Sequence, residues 1–269
     1  MIAQFYLDEW RQLHAPWLRL NQVEQDLIIS RVLVELYNNL DIKNNLVFRG
    51  GTCLNKLMLD KSVRYSEDID LVQKEPQPIG KIIDAIRGVL DNWLGTPKRK
   101  LTERSIKLVY SYKSIENLQS KLKIEINTTE HYHMLNYLEA PYRVNSSWFN
   151  GETIITTYQL NELMGSKLRA LYQRRKGRDL FDIWLVLEKG LIDVDKVIEV
   201  FLKHCQHVKQ PITRAMFEKT LFEKAENEDF RSEVKTLLTA ETLWDFETAY
   251  SMVFKKIVKQ LPEGSRERN

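Results

Sequence analysis

A glycine turn between a predicted strand and a predicted helix most constrains the fold of this chain. Residues 46–48 form a short apolar run, and Arg49-Gly50-Gly51-Thr52 follows it directly. Leu54 and Met58 then share one helical face, with Thr52 as the expected N-cap. Glycines let backbone N–H groups approach an anion, and a helix N-terminus favours phosphate. The turn therefore either binds a phosphate or serves only as a tight connection.

Two aspartates lie on the next predicted strand, residues 68–72. Asp68 and Asp70 alternate with Ile69 and Leu71, so both carboxylates point to the same face of that strand. Two like charges so close repel each other unless a cation lies between them, which favours a divalent metal site. Oxygen-only ligands indicate Mg²⁺ or Mn²⁺ rather than zinc. The alternative is a solvated strand face, or a sheet edge that charge protects.

A further carboxylate, Glu125, lies on a later predicted strand. Strands are predicted over residues 106–112 and 121–127, and apolar residues on both sides of Glu125 alternate with polar ones. Glu125 either pairs with a neighbouring lysine or becomes the third member of the carboxylate cluster.

Helical periodicity dominates the rest of the chain. Before residue 100, helices are predicted over residues 21–40 and 79–94. The stretch 141–151 is rich in Asn, Ser, Pro and Gly, and we interpret it as a boundary between domains 1–150 and 151–269. Beyond it the predicted elements are all helices, over residues 159–174, 179–188, 193–204, 213–224 and 242–260. The pattern predicts an α/β (α+β) N-terminal half followed by an all-helical C-terminal half.

Two sequence blocks carry a resemblance to a known family. Arg49-Gly50-Gly51-Thr52-x-Leu54, followed by Arg64-Tyr65-Ser66-Glu67-Asp68-Ile69-Asp70-Leu71, resembles the signature of the AbiEii-type nucleotidyltransferases. These are toxins of type IV abortive-infection and MenT-like toxin–antitoxin systems within the DNA polymerase β-like superfamily. The stretch Lys167-Leu168-x-Ala170-Leu171-x-x-Arg174-x-x-x-Arg178-Asp179-x-x-Asp182 resembles the second conserved block of that family.

The resemblance implies a minimal nucleotidyltransferase fold with a small mixed sheet. It implies that Asp68 and Asp70 hold the metal ion that bridges a nucleoside triphosphate, and that Glu125 is the third carboxylate by strand order. The turn residues and their partners in the motif are expected at the phosphates of the nucleotide: Gly50, Gly51, Thr52, Arg64 and Ser66. It also implies a cognate DNA-binding antitoxin as partner.

Lys167 lies on the apolar face of its predicted helix, four residues after Leu163 and four before Leu171. A lysine there either extends along the apolar surface to reach water or meets the oxygens of the triphosphate and stabilises the leaving pyrophosphate. Asp182, between apolar and aromatic neighbours, is expected either to reach the active-site cleft or to hold Lys167 or an arginine. The predicted catalytic set is therefore Asp68, Asp70, Glu125, Lys167 and Asp182.

Cations follow Lys167 without an acidic residue among them until residue 179. We name five of them the basic strip and expect them to bind RNA: Arg169, Arg174, Arg175, Lys176 and Arg178. Such a run is either a solvated helix face or a contact for a polyanion through its phosphates. Residues 98–100, Lys-Arg-Lys, extend the same surface if the fold brings them near.

Composition limits the remaining classes of protein. The 40 Lys and Arg residues against 37 Asp and Glu residues give a net charge of only +3, so local charge matters more than the total. Two cysteines cannot form a disulfide framework, and no apolar run approaches the length of a membrane span. The polar N-terminal residues do not resemble a signal peptide, so we expect a cytoplasmic protein without membrane contact.

These features predict an Mg²⁺-dependent or Mn²⁺-dependent nucleotidyltransferase that moves a nucleoside monophosphate from an NTP to an acceptor hydroxyl. The basic strip favours RNA, such as tRNA, as the acceptor. The alternatives are a catalytically weak nucleotide- or RNA-binding module, and a metal-dependent phosphohydrolase or nuclease that uses the same carboxylates.

Overall fold

A seven-stranded mixed sheet organises the first of two units in the computed structural model, which describes residues 2–263. The strand order is β3-β4-β5-β2-β1-β7-β6. β1 runs parallel to β7 and β2 runs parallel to β5, while the other neighbours are antiparallel. The strands are β1 (Leu46–Arg49), β2 (Asp68–Gln73), β3 (Lys98–Leu101), β4 (Ser105–Lys113), β5 (Gln119–Asn127), β6 (Tyr137–Asn145) and β7 (Asn150–Tyr158).

Helices of the same unit precede and interrupt these strands. They are α1 (Gln4–Leu13), α2 (Leu20–Tyr37), α3 (Leu40–Asn45), α4 (Gly50–Cys53) and α5 (Gly80–Leu94). A π-helical turn, Leu54–Met58, continues α4. In α5 the apolar residues Ile82, Ile86 and Leu90 recur at helical spacing, and all three are buried.

The two faces of β4 and β5 differ sharply, and this difference positions the candidate site. Leu108, Leu122 and Ile124 alternate with polar residues and are fully buried, so one face belongs to the core. Lys123 and Glu125 point to the other face and are half-buried. β2 continues this division, because Ile69 lies in the core while the two aspartates on either side of it do not.

Helices form the second unit, which comprises Tyr132–Asn136 and the chain from Gln159 onward. They are α6 (Leu160–Gln173), α7 (Gly177–Glu188), α8 (Val194–His207), α9 (Arg214–Ala225), α10 (Glu228–Ser232) and α11 (Phe246–Lys256). The side chains of Asp193, Thr213, Asn227 and Asp245 accept hydrogen bonds from the first turns of α8, α9, α10 and α11. These caps explain where the helices begin, because the first N–H groups of a helix have no partner within it.

The α/β architecture with a mixed sheet and following helices confirms the predicted fold class. The interpretation of residues 141–151 as a domain boundary is wrong, because this stretch lies within the antiparallel hairpin of β6 and β7. Pro141 is compatible with β6 because β6 is an edge strand, where a missing N–H does not break the sheet. The first unit therefore extends to Tyr158 rather than to residue 150.

Three strands make the sheet larger than the small sheet that the sequence suggests. β3, β6 and β7 lack a clear alternation of apolar and polar residues, so the sequence does not predict them. Among the residues that the structure describes, no helix has the length and apolar character needed to cross a membrane.

Candidate active site

The two aspartates of β2 face a lysine and a glutamate of β5. In the parallel register Asp68 lies beside Lys123 and Asp70 lies beside Glu125. Lys123 Nζ is 2.7 Å from Asp68 Oδ2 and 3.6 Å from Glu125 Oε2. The sheet therefore gathers three carboxylates on one face, with an ammonium group between two of them.

Glu125 has further partners on β4. Lys107 Nζ lies 3.0 Å from Glu125 Oε2, and Ser105 Oγ donates a 2.8 Å hydrogen bond to Glu125 Oε1. Burial favours a higher pKa for Glu125, but the hydrogen bonds from Lys107 and Ser105, with the charges of Lys107 and Lys123, outweigh it. The pKa of Glu125 is consequently below its usual value. Pairing with a neighbouring lysine is thus observed, while a role as third metal ligand stays a prediction.

Asp70 occupies a less favourable environment for a charged carboxylate. Burial raises the pKa of Asp70, and the negative charges of Asp68 and Glu125 raise it further. Arg49 and Lys123 act in the opposite direction without cancelling the effect. An added cation beside Asp70 would therefore favour the charged form of its carboxylate.

The glycine turn lies directly against Asp70. Gly50 has a φ of +86°, and a Cβ built on it would lie 2.5 Å from Asp70 Oδ2. A Cβ on Gly51 would lie 2.3 Å from Arg64 Nη2. Both distances are too short for a side chain, so glycine at these two positions allows the backbone to approach Asp70 and Arg64.

Thr52 links the turn to β2. Its Oγ1 is 2.5 Å from the backbone carbonyl oxygen of Asp68 and 2.8 Å from Ser66 Oγ. The expectation that Thr52 caps the helix is wrong, because α4 already begins at Gly50 and its N-cap residue is Arg49. Thr52 instead fixes the distance between the turn and the start of the aspartate strand.

Arg64 is only 2% exposed, and its Nη1 donates a 3.1 Å hydrogen bond to the carbonyl oxygen of Tyr65. Its guanidinium group lies beneath Gly51, where it supports the turn. Ser66 is half-buried beside Thr52. Contacts of Arg64, Ser66 and the turn residues with a nucleotide stay predictions.

The donor set of β2 suits a hard divalent cation in its chemistry. Asp68 and Asp70 offer carboxylate oxygens on one face, and Lys123 already supplies positive charge there. Within residues 2–263, no three His, Cys, Asp or Glu side chains are arranged as a ready metal site. The two aspartates therefore fit the implied ion as its protein ligands, while Glu125 is engaged by Lys107 and Ser105.

In the second unit, Lys167 forms a buried ion pair. Lys167 is 6% exposed, and its Nζ lies 2.6 Å from Asp182 Oδ2 and 3.8 Å from Asp179 Oδ1. Both aspartates are almost completely buried at the start of α7. Of the two arrangements expected for Lys167 and Asp182, the structure contains the one in which Asp182 holds the lysine.

Acidic residues pair with two members of the basic strip. Arg174 donates two hydrogen bonds to Asp179, at 2.7 Å from Nε and 2.9 Å from Nη2. Lys176 Nζ is 3.5 Å from Glu233 Oε1. Arg175 is exposed, whereas Arg169 and Arg178 are half-exposed. The strip is therefore less basic than its sequence suggests, and its binding to RNA stays a prediction.

Sequence reasoning missed Lys107, Ser105 and Lys123 as members of the first-unit cluster. Lys123 could have been found, because it precedes Glu125 by two residues on the same strand and therefore shares its face. Lys107 and Ser105 required the register of β4 against β5, which no local pattern provides.

A glycine turn in contact with paired strand aspartates, on a mixed sheet followed by helices, defines a nucleotidyltransferase. The family model described as nucleotidyl transferase AbiEii toxin, type IV TA system, matches residues 31–252. The chain belongs to this family and is a nucleotidyltransferase toxin of a type IV toxin–antitoxin system.

Solved structures share the fold. The chain is similar to MenT4, a nucleotidyltransferase toxin from Mycobacterium tuberculosis H37Rv, with a TM-score of 0.70 and 16% sequence identity over 97% of this chain and 91% of that one. It is also similar to an H. pylori protein assigned to the nucleotidyltransferases, with a TM-score of 0.53 and 15% sequence identity. This match covers 88% of this chain and 92% of that one. No curated protein sequence matches the chain significantly.

Proposed function

We propose that the protein transfers a nucleoside monophosphate from an NTP to an acceptor hydroxyl, with Mg²⁺ or Mn²⁺ bound at Asp68 and Asp70. The contact between Gly50 and Asp70 carries this proposal. It brings a backbone turn suited to phosphate against a carboxylate suited to a hard cation. A triphosphate with its metal ion requires both partners at the same place.

In the proposed reaction the acceptor oxygen forms a bond to the α-phosphorus, the bond from that phosphorus to the bridging oxygen breaks, and pyrophosphate leaves. The divalent ion neutralises phosphate charge when it is bound. Gly51 and Thr52 offer backbone N–H groups near the N-terminus of α4, and Thr52 keeps them close to Asp68. The acceptor proton passes to solvent or to a carboxylate of the cluster.

Glu125 has two proposed roles, which are completion of the metal site and deprotonation of the acceptor. Its lowered pKa keeps it ionised at neutral pH, as a metal ligand requires, and makes it a weaker base for the acceptor proton. Its bonds to Lys107 and Ser105 hold the carboxylate in place.

Lys167 is the proposed cation for the phosphates, and Asp182 is its positioning residue. This assignment rests on the family resemblance, and the 2.6 Å ion pair with Asp182 restricts the long and flexible side chain of Lys167 to one orientation. The partners proposed on the family resemblance are an NTP, an RNA acceptor and a DNA-binding antitoxin, and the proposed location is the cytoplasm.

Transfer of label from each α-labelled NTP into total RNA and protein tests the proposal. Wild-type protein with Mg²⁺ is expected to label RNase-sensitive material and to release pyrophosphate. Asp68→Ala and Asp70→Asn should abolish the labelling while the far-ultraviolet circular dichroism spectrum stays unchanged.

Three other results would contradict the proposal. Release of inorganic phosphate alone indicates a phosphohydrolase, and shortening of the RNA without incorporation indicates a nuclease. Nucleotide binding without turnover, in the presence of Mg²⁺ and RNA, indicates a binding module.

A further inference from the structure

The face of the sheet that holds Asp68, Asp70 and Glu125 continues across β5 and β4 to the edge strand β3. One row across the sheet consists of Asp70 on β2, Glu125 on β5, Lys107 on β4 and Lys100 on β3. The adjacent row runs from Asp68 through Lys123 and Val109 to Lys98. Directly opposite residues point to the same face, so Lys98 and Lys100 share the face of the candidate site.

This face carries an unequal distribution of charge. Its lysines on β3, β4 and β5 are Lys98, Lys100, Lys107, Lys113, Lys121 and Lys123. Its only carboxylate on these three strands is Glu125, and the two aspartates of β2 follow it. Glu103 lies in the turn between β3 and β4, outside both strands. On these four strands, negative charge on this face is thus confined to the candidate site, and the strand residues beyond it carry positive charge.

Lys100 lies directly opposite Lys107, an arrangement that is unfavourable without an anion nearby. Lys107 has Glu125 as a partner on its other side. Lys98 and Lys100 are exposed on an edge strand. Lysines on edge strands also discourage pairing with other sheets. A charge on either face of β3 protects the edge in this way, and Arg99 already places one on the opposite face. Protection of the edge therefore does not require two lysines on the face of the candidate site.

We propose that Lys98, Lys100 and Lys107, the lysine track, bind the phosphates of a single-stranded RNA acceptor and lead its terminal hydroxyl towards Asp68 and Asp70. This inference rests on the proposed transfer to RNA. Adjacent strands are about 4.8 Å apart, so three intervals separate β3 from β2 by roughly 14 Å. The track therefore suits a short stretch of one strand that crosses the sheet.

The chemistry of the track predicts how it binds. On this face of β3, β4 and β5 the register places no aromatic residue, so bases have no ring on which to stack. Contacts are then made through phosphates, and binding is insensitive to sequence and strongly dependent on salt.

Single charge removals on neighbouring residues test the track. Binding of a fluorescein-labelled, mixed-sequence RNA oligonucleotide to the full chain is measured by anisotropy over a series of KCl concentrations, without NTP or divalent metal. Lys100→Ala is expected to raise the Kd and to lower the log–log salt slope by about 0.7. The double variant Lys98→Ala/Lys100→Ala is expected to lower the slope by about 1.4.

Arg99→Ala is the matched control, because it removes the same charge from the same strand on the opposite face. It should leave the Kd and the salt slope unchanged. All three residue changes lie at exposed positions of β3, so thermal melting should change little.

Equal effects of Arg99→Ala and Lys100→Ala would overturn the track, since bulk charge would explain both. Unchanged binding in every β3 variant would overturn it as well, and a loss confined to Arg175→Ala would assign RNA to the basic strip. Transfer is measured separately on the wild-type protein. If the wild-type protein transfers label to RNA but the lysine variants of β3 bind RNA normally, only the track is refuted. If these variants lose RNA binding as expected but the wild-type protein transfers nothing, only the proposed function is refuted.

Discussion

Lys123 faces Asp68 across β5 and β2, and its ammonium nitrogen lies 2.7 Å from a carboxylate oxygen of that aspartate. The lysine also lies 3.6 Å from Glu125. Burial favours a lower pKa for Lys123, but its hydrogen bond to Asp68 and the charges of the three carboxylates raise it. Lys123 is therefore a positively charged internal counter-ion of the cluster.

We expect Lys123→Met to tighten the binding of Mg²⁺ or Mn²⁺, because the metal ion no longer competes with the ammonium group. A partly exposed ion pair contributes about 0.2–1 kcal/mol, so the affinity should rise by a factor of roughly 1.4 to 5. Calorimetric titration of the metal ion without nucleotide measures this change. Lys121→Met is the control, since Lys121 lies on the same face, opposite Ser111. Weaker metal binding in Lys123→Met would contradict the counter-ion role.

Gly50 and Gly88 should respond oppositely to replacement by alanine. Gly50→Ala forces a side chain into a φ of +86° and against Asp70, so it should cost about 2 kcal/mol or more and abolish transfer. Gly88 lies inside α5 with open space around its Cβ position, so Gly88→Ala should stabilise the protein by about 0.5–1 kcal/mol. Urea denaturation and the transfer assay measure both. Wild-type activity in Gly50→Ala would show that the turn tolerates a side chain.

The sequence was most informative where one strand or helix contains the whole signal. The alternation of Asp68 and Asp70 with Ile69 and Leu71 predicted β2 and its polar face correctly. The apolar spacing in α5 was equally clear. In β3, all four residues are exposed, so no burial pattern exists for a sequence to reveal.

The features that the sequence does not predict depend on contacts between residues that are far apart in the chain. Glu233 follows Lys176 by more than fifty positions, yet it lies 3.5 Å from it and reduces the charge of the basic strip. Residues 141–151 have the composition of a turn, yet they lie in the hairpin of β6 and β7. Pairing with β6 and β1, rather than the local sequence, determines that β7 is a strand.

Lys167→Met should be destabilising as well as inactive. It removes the ion pair between Lys167 and Asp182, which is 1% exposed, and breaking a buried pair costs about 3–5 kcal/mol. Adding Asp182→Asn removes the carboxylate charge that Lys167 balanced, so the double variant should be more stable than Lys167→Met alone but still inactive. Urea denaturation with the transfer assay separates these effects. Activity in the restored double variant would limit Lys167 to a structural role.

The stability of the protein should depend on Lys224 between about pH 8 and 10. Lys224 is buried in α9, and its ammonium group donates to the carbonyl oxygens of Leu171 and Tyr172 at the end of α6. Burial lowers its pKa to about 8, with Asp179 opposing the change and Arg175 reinforcing it.

The sign of this dependence follows from proton binding. An unfolded chain retains the lysine proton up to about pH 10.4, so above pH 8 the unfolded state binds more protons than the folded state. The free energy of unfolding therefore gains a contribution that rises with pH, by at most about 3 kcal/mol. Lys224→Met removes that contribution, so the difference between wild-type and variant stability should rise from pH 7 to 9.5 in urea denaturation. Lys219→Met, at an exposed position of the same helix, should give a constant difference, and an equally constant difference for Lys224→Met would refute the lowered pKa.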